Sequence, residues 1–253
     1  EDMPDDADMK VLCAFEEYGP QGNKDCTGEV DAITIDPVVE WSWPFERSEE
    51  VSNVIMTPVV GDIDADGTPD IVFAAYNEGN TIGRIVAVAG DGSRELWSFS
   101  SLQDGLATTY DVPTETRPGV VNPGTAPGIA LGDIDSDGTP DVCFAGASDQ
   151  ALVICVEGPT GALKWASQPG PAGRDYSWAY PAIANIDGQG SPEVILGGQV
   201  FRGDDGTLFA APTMTSGIGT TLFGGPRLAA ISVPVDLDGD GVQEIVAGKT
   251  IYS

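Results

Sequence analysis

Four short acidic stretches in this 253-residue chain share one spacing of oxygen-bearing side chains. They read Asp62-Ile-Asp64-Ala-Asp66-Gly67-Thr68-Pro-Asp70 and Asp133-Ile-Asp135-Ser-Asp137-Gly138-Thr139-Pro-Asp141, followed by Asn185-Ile-Asp187-Gly-Gln189-Gly190-Ser191-Pro-Glu193 and Asp236-Leu-Asp238-Gly-Asp240-Gly241-Val242-Gln-Glu244. Carboxylates or amides occupy loop positions 1, 3, 5 and 9, and glycine stands at position 6 in every copy. Like charges this close repel: at ~4 Å and an effective dielectric of ~20, each pair costs about 4 kcal/mol. A hard divalent cation removes that cost, and calcium accepts roughly six to eight oxygens in a tolerant geometry. The expected ligands are therefore the side chains at positions 1, 3, 5 and 9. The backbone carbonyl at position 7 (Thr68, Thr139, Ser191, Val242) joins them, since side-chain identity there varies freely. Up to four Ca2+ ions are expected, the third site being weakest because Asn185 and Gln189 replace two carboxylates.

Two other readings of the stretches exist. An EF-hand needs a bidentate glutamate at position 12 and a helix on either side. Position 12 here is Phe73, Phe144, Leu196 or Ala247, none of which ligates a metal. A metal-free Asp-Gly turn is an ordinary hairpin signal, but four recurrences of one 1-3-5-9 pattern argue for a ligand.

These loops must be positioned by strands. Each runs into a short apolar segment of β type: Ile71-Val-Phe-Ala-Ala, Val142-Cys-Phe-Ala, Val194-Ile-Leu and Ile245-Val-Ala. Around them a unit recurs. Strand A precedes the loop (Thr57-Pro-Val-Val, Gly128-Ile-Ala-Leu, Pro181-Ala-Ile-Ala, Ala230-Ile-Ser-Val) and strand B leaves it. Strand C follows (Arg84-Ile-Val-Ala-Val, Leu152-Val-Ile-Cys-Val, Gln199-Val-Phe), then a Gly-rich turn and strand D with Leu96-Trp97, Lys164-Trp165 or Leu208-Phe209. Loop starts at 62, 133, 185 and 236 put the units 71, 52 and 51 residues apart. A repeat of about fifty residues with four short strands predicts an all-β fold, a β-propeller of four-stranded antiparallel blades with calcium loops between strands A and B. The longer first interval reflects an insertion from Ser100 to Ala126, rich in Gly, Pro and Thr and expected as a surface loop.

Residues 1–38 form an acidic N-terminal extension, and residues 39–253 hold the blades. The fourth unit stops at Thr250-Ile-Tyr, while Val39-Glu-Trp41-Ser-Trp43 is an orphan strand of D type. Either that strand completes the last blade, or a further chain or segment completes a larger ring.

The loop, set between strands A and B of a fifty-residue blade, resembles the calcium loops of the integrin alpha-subunit propeller. It is also similar to the FG-GAP and bacterial VCBS-type repeats, over about Val39 to Ser253. The phenylalanine-glycine and glycine-alanine-proline signatures persist only partly, in Phe223-Gly-Gly-Pro and Thr125-Ala-Pro-Gly, which directs the resemblance to the bacterial type. The resemblance implies calcium ions that brace the blades from the face opposite a ligand surface. It implies no ligand-binding residues here, because none of those of integrins matches a position in this chain.

Composition narrows the function classes. Eleven basic against 40 acidic residues give a net charge of −29, which excludes nucleic acid and anionic membrane surfaces as favoured partners. Histidine is absent, removing Ser-His-Asp and Cys-His catalysis and His-based zinc sites. Cys13 and Cys26 are expected to pair locally, and Cys143 and Cys155 bracket a hairpin centred near Asp149, as a cross-strand disulfide or two buried thiols. Disulfides and millimolar calcium belong outside the cytosol, so an extracellular or cell-surface location without membrane insertion is expected. The chain, which lacks an initiator methionine, a signal peptide and an 18-residue apolar run, reads as a processed extracellular piece.

Two further motifs invite functional readings. Arg202-Gly203-Asp204 is an adhesive tripeptide, but it coincides with the C–D turn of the third unit. Tyr176, Trp178 and Tyr180 alternate beside Arg174 and could form a sugar-stacking or protein-binding platform, or pack between blades. Trp41, Trp43, Trp97 and Trp165 read as core. The function expected is non-catalytic adhesion or protein recognition with an extracellular protein or glycan ligand. The alternatives are a lectin-like propeller and, behind it, a polysaccharide-active enzyme using paired carboxylates.

Overall fold

The computed structural model describes residues 37–43, 53–76, 83–100, 127–146, 152–168, 179–211, 231–248 and 250–253. The chain divides into two compact units, Glu1–Glu40 and Trp41–Ser253. Residues 37–40 of the first unit are exposed and without regular structure. Cys13, Cys26, the insertion at 101–126, Tyr176, Trp178 and Phe223 lie outside the described residues.

The second unit is all-β among the described residues, arranged as four antiparallel sheets in chain order. The first contains β1 (Asn53–Val54), β2 (Val59–Gly61), β3 (Asp70–Tyr76), β4 (Gly83–Val88) and β5 (Glu95–Ser100). Both β1 and β2 pair with the same edge of β3, so they act as one interrupted strand and the sheet has four positions. The second contains β6 (Ile129–Gly132), β7 (Asp141–Ala145), β8 (Val153–Val156) and β9 (Leu163–Ala166). The third contains β10 (Ala182–Ala184), β11 (Glu193–Leu196), β12 (Gln199–Arg202) and β13 (Leu208–Ala210). The fourth has β14 (Ser232–Val235), β15 (Glu244–Ala247) and β16 (Thr250–Tyr252). Every acidic loop joins the first strand of its sheet to the second, as the repeat requires. Among the described residues no helix is long and apolar enough to cross a membrane.

Why the second strands are apolar along their whole length follows from how the sheets stack. On β3, Val72, Ala74 and Tyr76 join one core with Ile129, Val142, Phe144, Ile154 and Val156 of the second sheet. The alternate residues Phe73 and Ala75 face the other way, with Val86, Val88, Trp41 and Trp43. The second sheet turns Cys143, Cys155 and Trp165 toward Val194, Leu196 and Phe201 of the third. The third in turn shares Ile195 and Val200 with Ile245 and Ala247 of the fourth. A strand buried on both faces reads as a continuous apolar run rather than an alternating one. The first strands of successive sheets (β2, β6, β10, β14) are also neighbours in order.

Cys143 and Cys155 stand directly opposite one another on β7 and β8, both fully buried, and form the disulfide.

Tryptophans of the last strands lock the first sheet to the second and the second to the third. Trp97 donates its indole N–H to the Gly158 carbonyl at 2.7 Å, and Trp165 donates to Gly203 at 2.6 Å. Their rings lie over Gly161 and Gly206, in the turns before β9 and β13. Those glycines hold φ of 66° and 71°, and a Cβ on Gly161 would meet the indole at 2.6 Å. Only glycine satisfies both demands. Trp41 lies over Gly92 in the same way, with φ 71° at that glycine. Trp41 thus stands to the first sheet as Trp97 stands to the second, the place a fourth strand of a preceding sheet would give it.

The register corrects one sequence expectation. A bulge recurs between Ala87 and Val88, Cys155 and Val156, and Val200 and Phe201. Val88 pairs with Glu95, Val156 with Leu163 and Phe201 with Leu208. Phe209 therefore corresponds to Leu96 and Lys164, not to the tryptophans, and it is 40% exposed with the Arg202 guanidinium 4.5 Å from its ring centroid. Arg202 ends β12 and Gly203-Asp204 open the turn that follows, with Gly203 buried, in keeping with the reading of this stretch as turn chemistry.

Trp97→Ala is expected to cost about 3–5 kcal/mol and Trp97→Phe about 1–3 kcal/mol, since the phenylalanine leaves the Gly158 carbonyl without its donor. Urea unfolding of the two variants beside the wild type measures both; a Trp97→Phe variant as stable as the wild type would show that the hydrogen bond contributes nothing.

Candidate metal centres

The backbone of each loop is held by its own acids. At the root, the position-9 carboxylate accepts the position-2 N–H in all four copies: Ile63 to Asp70 at 3.1 Å, Ile134 to Asp141 at 3.2 Å, Ile186 to Glu193 at 3.0 Å and Leu237 to Glu244 at 2.9 Å. Position 9 is the first residue of the second strand, and these four side chains are buried. Position 1 spans the turn. Asp62 accepts from Asp66 and Gly67, and Asp133 from Asp137 and Gly138, at 3.0–3.1 Å. Asp236 accepts instead from position 4, Gly239, and again from position 6, Gly241. Position 5 caps position 7: Thr68, Thr139 and Val242 donate to Asp66, Asp137 and Asp240.

Two residues per loop adopt left-handed backbone. Position 6 does so at Gly67 (φ 90°), Gly138 (96°), Gly190 (62°) and Gly241 (90°), as the sequence leads one to expect. Position 4 does so too, at Ala65 (60°), Ser136 (62°), Gly188 (68°) and Gly239 (79°). Sequence reading missed this second reversal. The glycines at position 4 of the third and fourth copies were its only signal, masked by alanine and serine in the others.

These turns bring carboxylates together in three of the four loops. Asp62, Asp64 and Asp66 converge in the first, Asp133, Asp135 and Asp141 in the second, and Asp236, Asp238 and Glu244 in the fourth. Within each group the oxygens lie within 4.8 Å of one another, close to the separation of oxygens on opposite sides of one calcium ion, roughly 4.6–5.2 Å. Three acidic clusters could thus hold a metal ion. Positions 1 and 3 take part every time, while the third member alternates between positions 5 and 9. In the third loop no such group forms among the described residues. There Asn185 donates its amide to the Gly190 carbonyl, and the Gln189 N–H goes to Asp187. Glu193 ties the root and Ser191 lies near Ser136, with their hydroxyls 3.3 Å apart.

The electrostatics differ from loop to loop. Burial raises Asp70 above the usual carboxylate range, and the Asp64 and Asp66 charges add to the effect. Burial pushes Asp141 up to about 6, against the pull of Lys164. Lys164 is raised as well: burial opposes its charge, but the Asp135, Asp141 and Glu157 carboxylates outweigh it. The Lys164 ammonium contacts Asp135, lies 3.1 Å from Asp141 and 3.2 Å from Glu157, and its side chain is only 7% exposed. Arg94 reaches Asp64 of the first loop at 3.5 Å from a largely exposed position.

Asp141 gives a pH test. Its pKa of about 6 when folded, against 3.8 ordinarily, means that the folded chain binds this proton more tightly than the unfolded one. The stability contributed is complete below pH 3.8 and lost as pH rises through about 6. For metal-free protein, the melting temperature of wild type minus that of Asp141→Asn is expected to fall across that window. A flat difference would refute it.

No protein-family model and no curated protein matches the chain. Among solved structures it is similar to the V. cholerae biofilm matrix protein Bap1, with a TM-score of 0.51 and 19% sequence identity. The match covers 81% of this chain, which spans 30% of the length of that one. At that identity the likeness is one of fold.

Proposed function

We propose that this chain is part of a calcium-stabilised β-propeller of an extracellular or cell-surface protein, serving adhesion or recognition rather than catalysis. The observation that carries the reading is the convergence of three carboxylates at the same loop in the first, second and fourth of the four units. Hard oxygen donors favour an alkaline-earth cation over softer metals, and a loop offering several carboxylates and a carbonyl suits the larger, irregular coordination of calcium better than the strict octahedron of magnesium. The serial stacking of sheets, with first strands adjacent and each tryptophan seated on the next turn, is the arrangement that blades around an axis would have. Residues 37–43 are not a strand here, contrary to the D-type strand expected over Val39–Trp43, but the Trp41 seat supports either closure by this segment or a larger ring of FG-GAP or VCBS type. The cross-strand disulfide supports an oxidising location. The likeness to a biofilm matrix protein is compatible with a non-catalytic adhesion or recognition role, for which the partner proposed is an extracellular protein or glycan.

The lectin-like alternative rested on three aromatics. Tyr180, the one described, lies against Gly128, and its hydroxyl meets the Met56 sulfur at 3.8 Å. That engagement favours packing over a stacking platform.

Calcium should act on stability. With free calcium at ~100 times Kd, each filled loop adds about 2.7 kcal/mol to the folded state. Melting in millimolar calcium is expected well above melting in EDTA, and Asp62→Asn with Asp64→Asn should remove part of the difference. Equal melting temperatures in calcium and EDTA would refute calcium stabilisation. Adhesion is tested by calcium-dependent retention of the chain on immobilised extracellular polysaccharide and matrix protein; retention on neither, or turnover of the polysaccharide, would refute the non-catalytic adhesive role.

A further inference from the structure

The second loop differs from the others in holding a buried cation of the protein's own. Lys164 is the residue at the β8–β9 bulge: Cys155 pairs with Trp165 and Val156 with Leu163, which leaves Lys164 opposite neither. A bulge re-aims the side chain it carries, and here it sends the ammonium into the acidic cluster of the same sheet. The nitrogen contacts the position-3 carboxylate Asp135 and stands 3.1 Å from Oδ1 of the fully buried position-9 carboxylate Asp141. Asp135 Oδ1 is buried without a hydrogen-bond partner, and Asp141 Oδ1 is buried with the Lys164 ammonium as its neighbour. Two of the three carboxylates that converge in this loop are thus turned to Lys164.

The same bulge recurs in the first and third sheets without a cation. Leu96 occupies it in the first and packs on the apolar core, and Phe209 occupies it in the third. No lysine or arginine reaches the fourth cluster among the described residues in the way Lys164 reaches the second. Arg94 touches the first only from an exposed position, at a single carboxylate.

We propose that Lys164 is a built-in counter-ion of the second loop, holding Asp135 and Asp141 in place without metal and competing with calcium for their oxygens. This inference rests on the calcium reading above. It makes the second loop the exchangeable calcium site and leaves the first and fourth loops dependent on the metal. An ammonium and a calcium ion sharing the same carboxylates repel each other, so the second loop binds calcium roughly tenfold to a hundredfold more weakly than it would without the lysine.

The test uses the full chain with Lys164→Met, which keeps an apolar stem of similar length, and Lys164→Arg, which keeps the charge. Calcium binding is followed by calorimetric titration and by terbium luminescence, and melting is measured in EDTA and in calcium. The expected result is that Lys164→Met tightens one site about tenfold or more, and that Asp135→Asn in the same background abolishes that gain. Lys164→Met should also melt lower than wild type in EDTA and recover in calcium, while Lys164→Arg stays close to wild type. Unchanged affinities in Lys164→Met, a weakened site, or failure of that variant to fold even in calcium would overturn the inference while calcium at the first and fourth loops survives. Absence of calcium binding in wild type and variant alike would overturn both readings.

Discussion

A buried carboxylate at the root of every acidic loop is the constraint on which the repeat depends. Asp70, Asp141, Glu193 and Glu244 are each the buried first residue of a largely buried strand, so their charge sits at the edge of an apolar core. An unpaired buried charge is costly enough that a protein must compensate it or neutralise it. One backbone N–H, from position 2, meets that need only in part. The residual charge could be met by a cation in the three loops where carboxylates converge. It also fixes the turn, because the N–H that the carboxylate accepts belongs to the far side of the loop.

The loop root is also where neighbouring sheets meet. The position-2 side chains Ile63 and Ile134 are fully buried, and their carbonyl oxygens lie against Gly158 and Gly203 in the turns of the following sheet. Leu237, at the same position of the fourth loop, is 53% exposed. The difference follows from packing: the fourth sheet has no described sheet beyond it to cover that leucine. Loop and tryptophan thus converge on one turn, the first through its backbone and the second through its indole. A cation that stiffens the loop therefore stiffens the joint between sheets.

The four loops share a backbone but not an electrostatic setting. The third keeps two charges and substitutes amide hydrogen bonds for ligands. The second adds an ammonium from its own last strand. The first and fourth keep a full set of carboxylates around the turn. Graded calcium dependence along one chain is what such a series would produce, with the repeat conserving geometry while single side chains set affinity.

The acids, the position-6 glycines and the apolar runs after them were legible as a sequence, because ligand spacing, backbone reversal and two-faced burial each leave a local mark. So were the strand order, the place of the loops and the core tryptophans. The left-handed position 4 was hidden, since alanine and serine occupy it in two copies. The register of β13 was hidden as well: a bulge shifts which residue faces which, and composition carries no record of it, so Phe209 passed for a counterpart of Trp97 and Trp165. Lys164 lies 23 residues from the end of its loop and looked like an ordinary strand residue. Spacing along the chain determined which residues could share a cation; only the folded sheet, by bringing β9 beside the loop, decided that one of them would share it with a lysine. The reason is that charge acts through distance in space, whereas a sequence reports distance along the backbone.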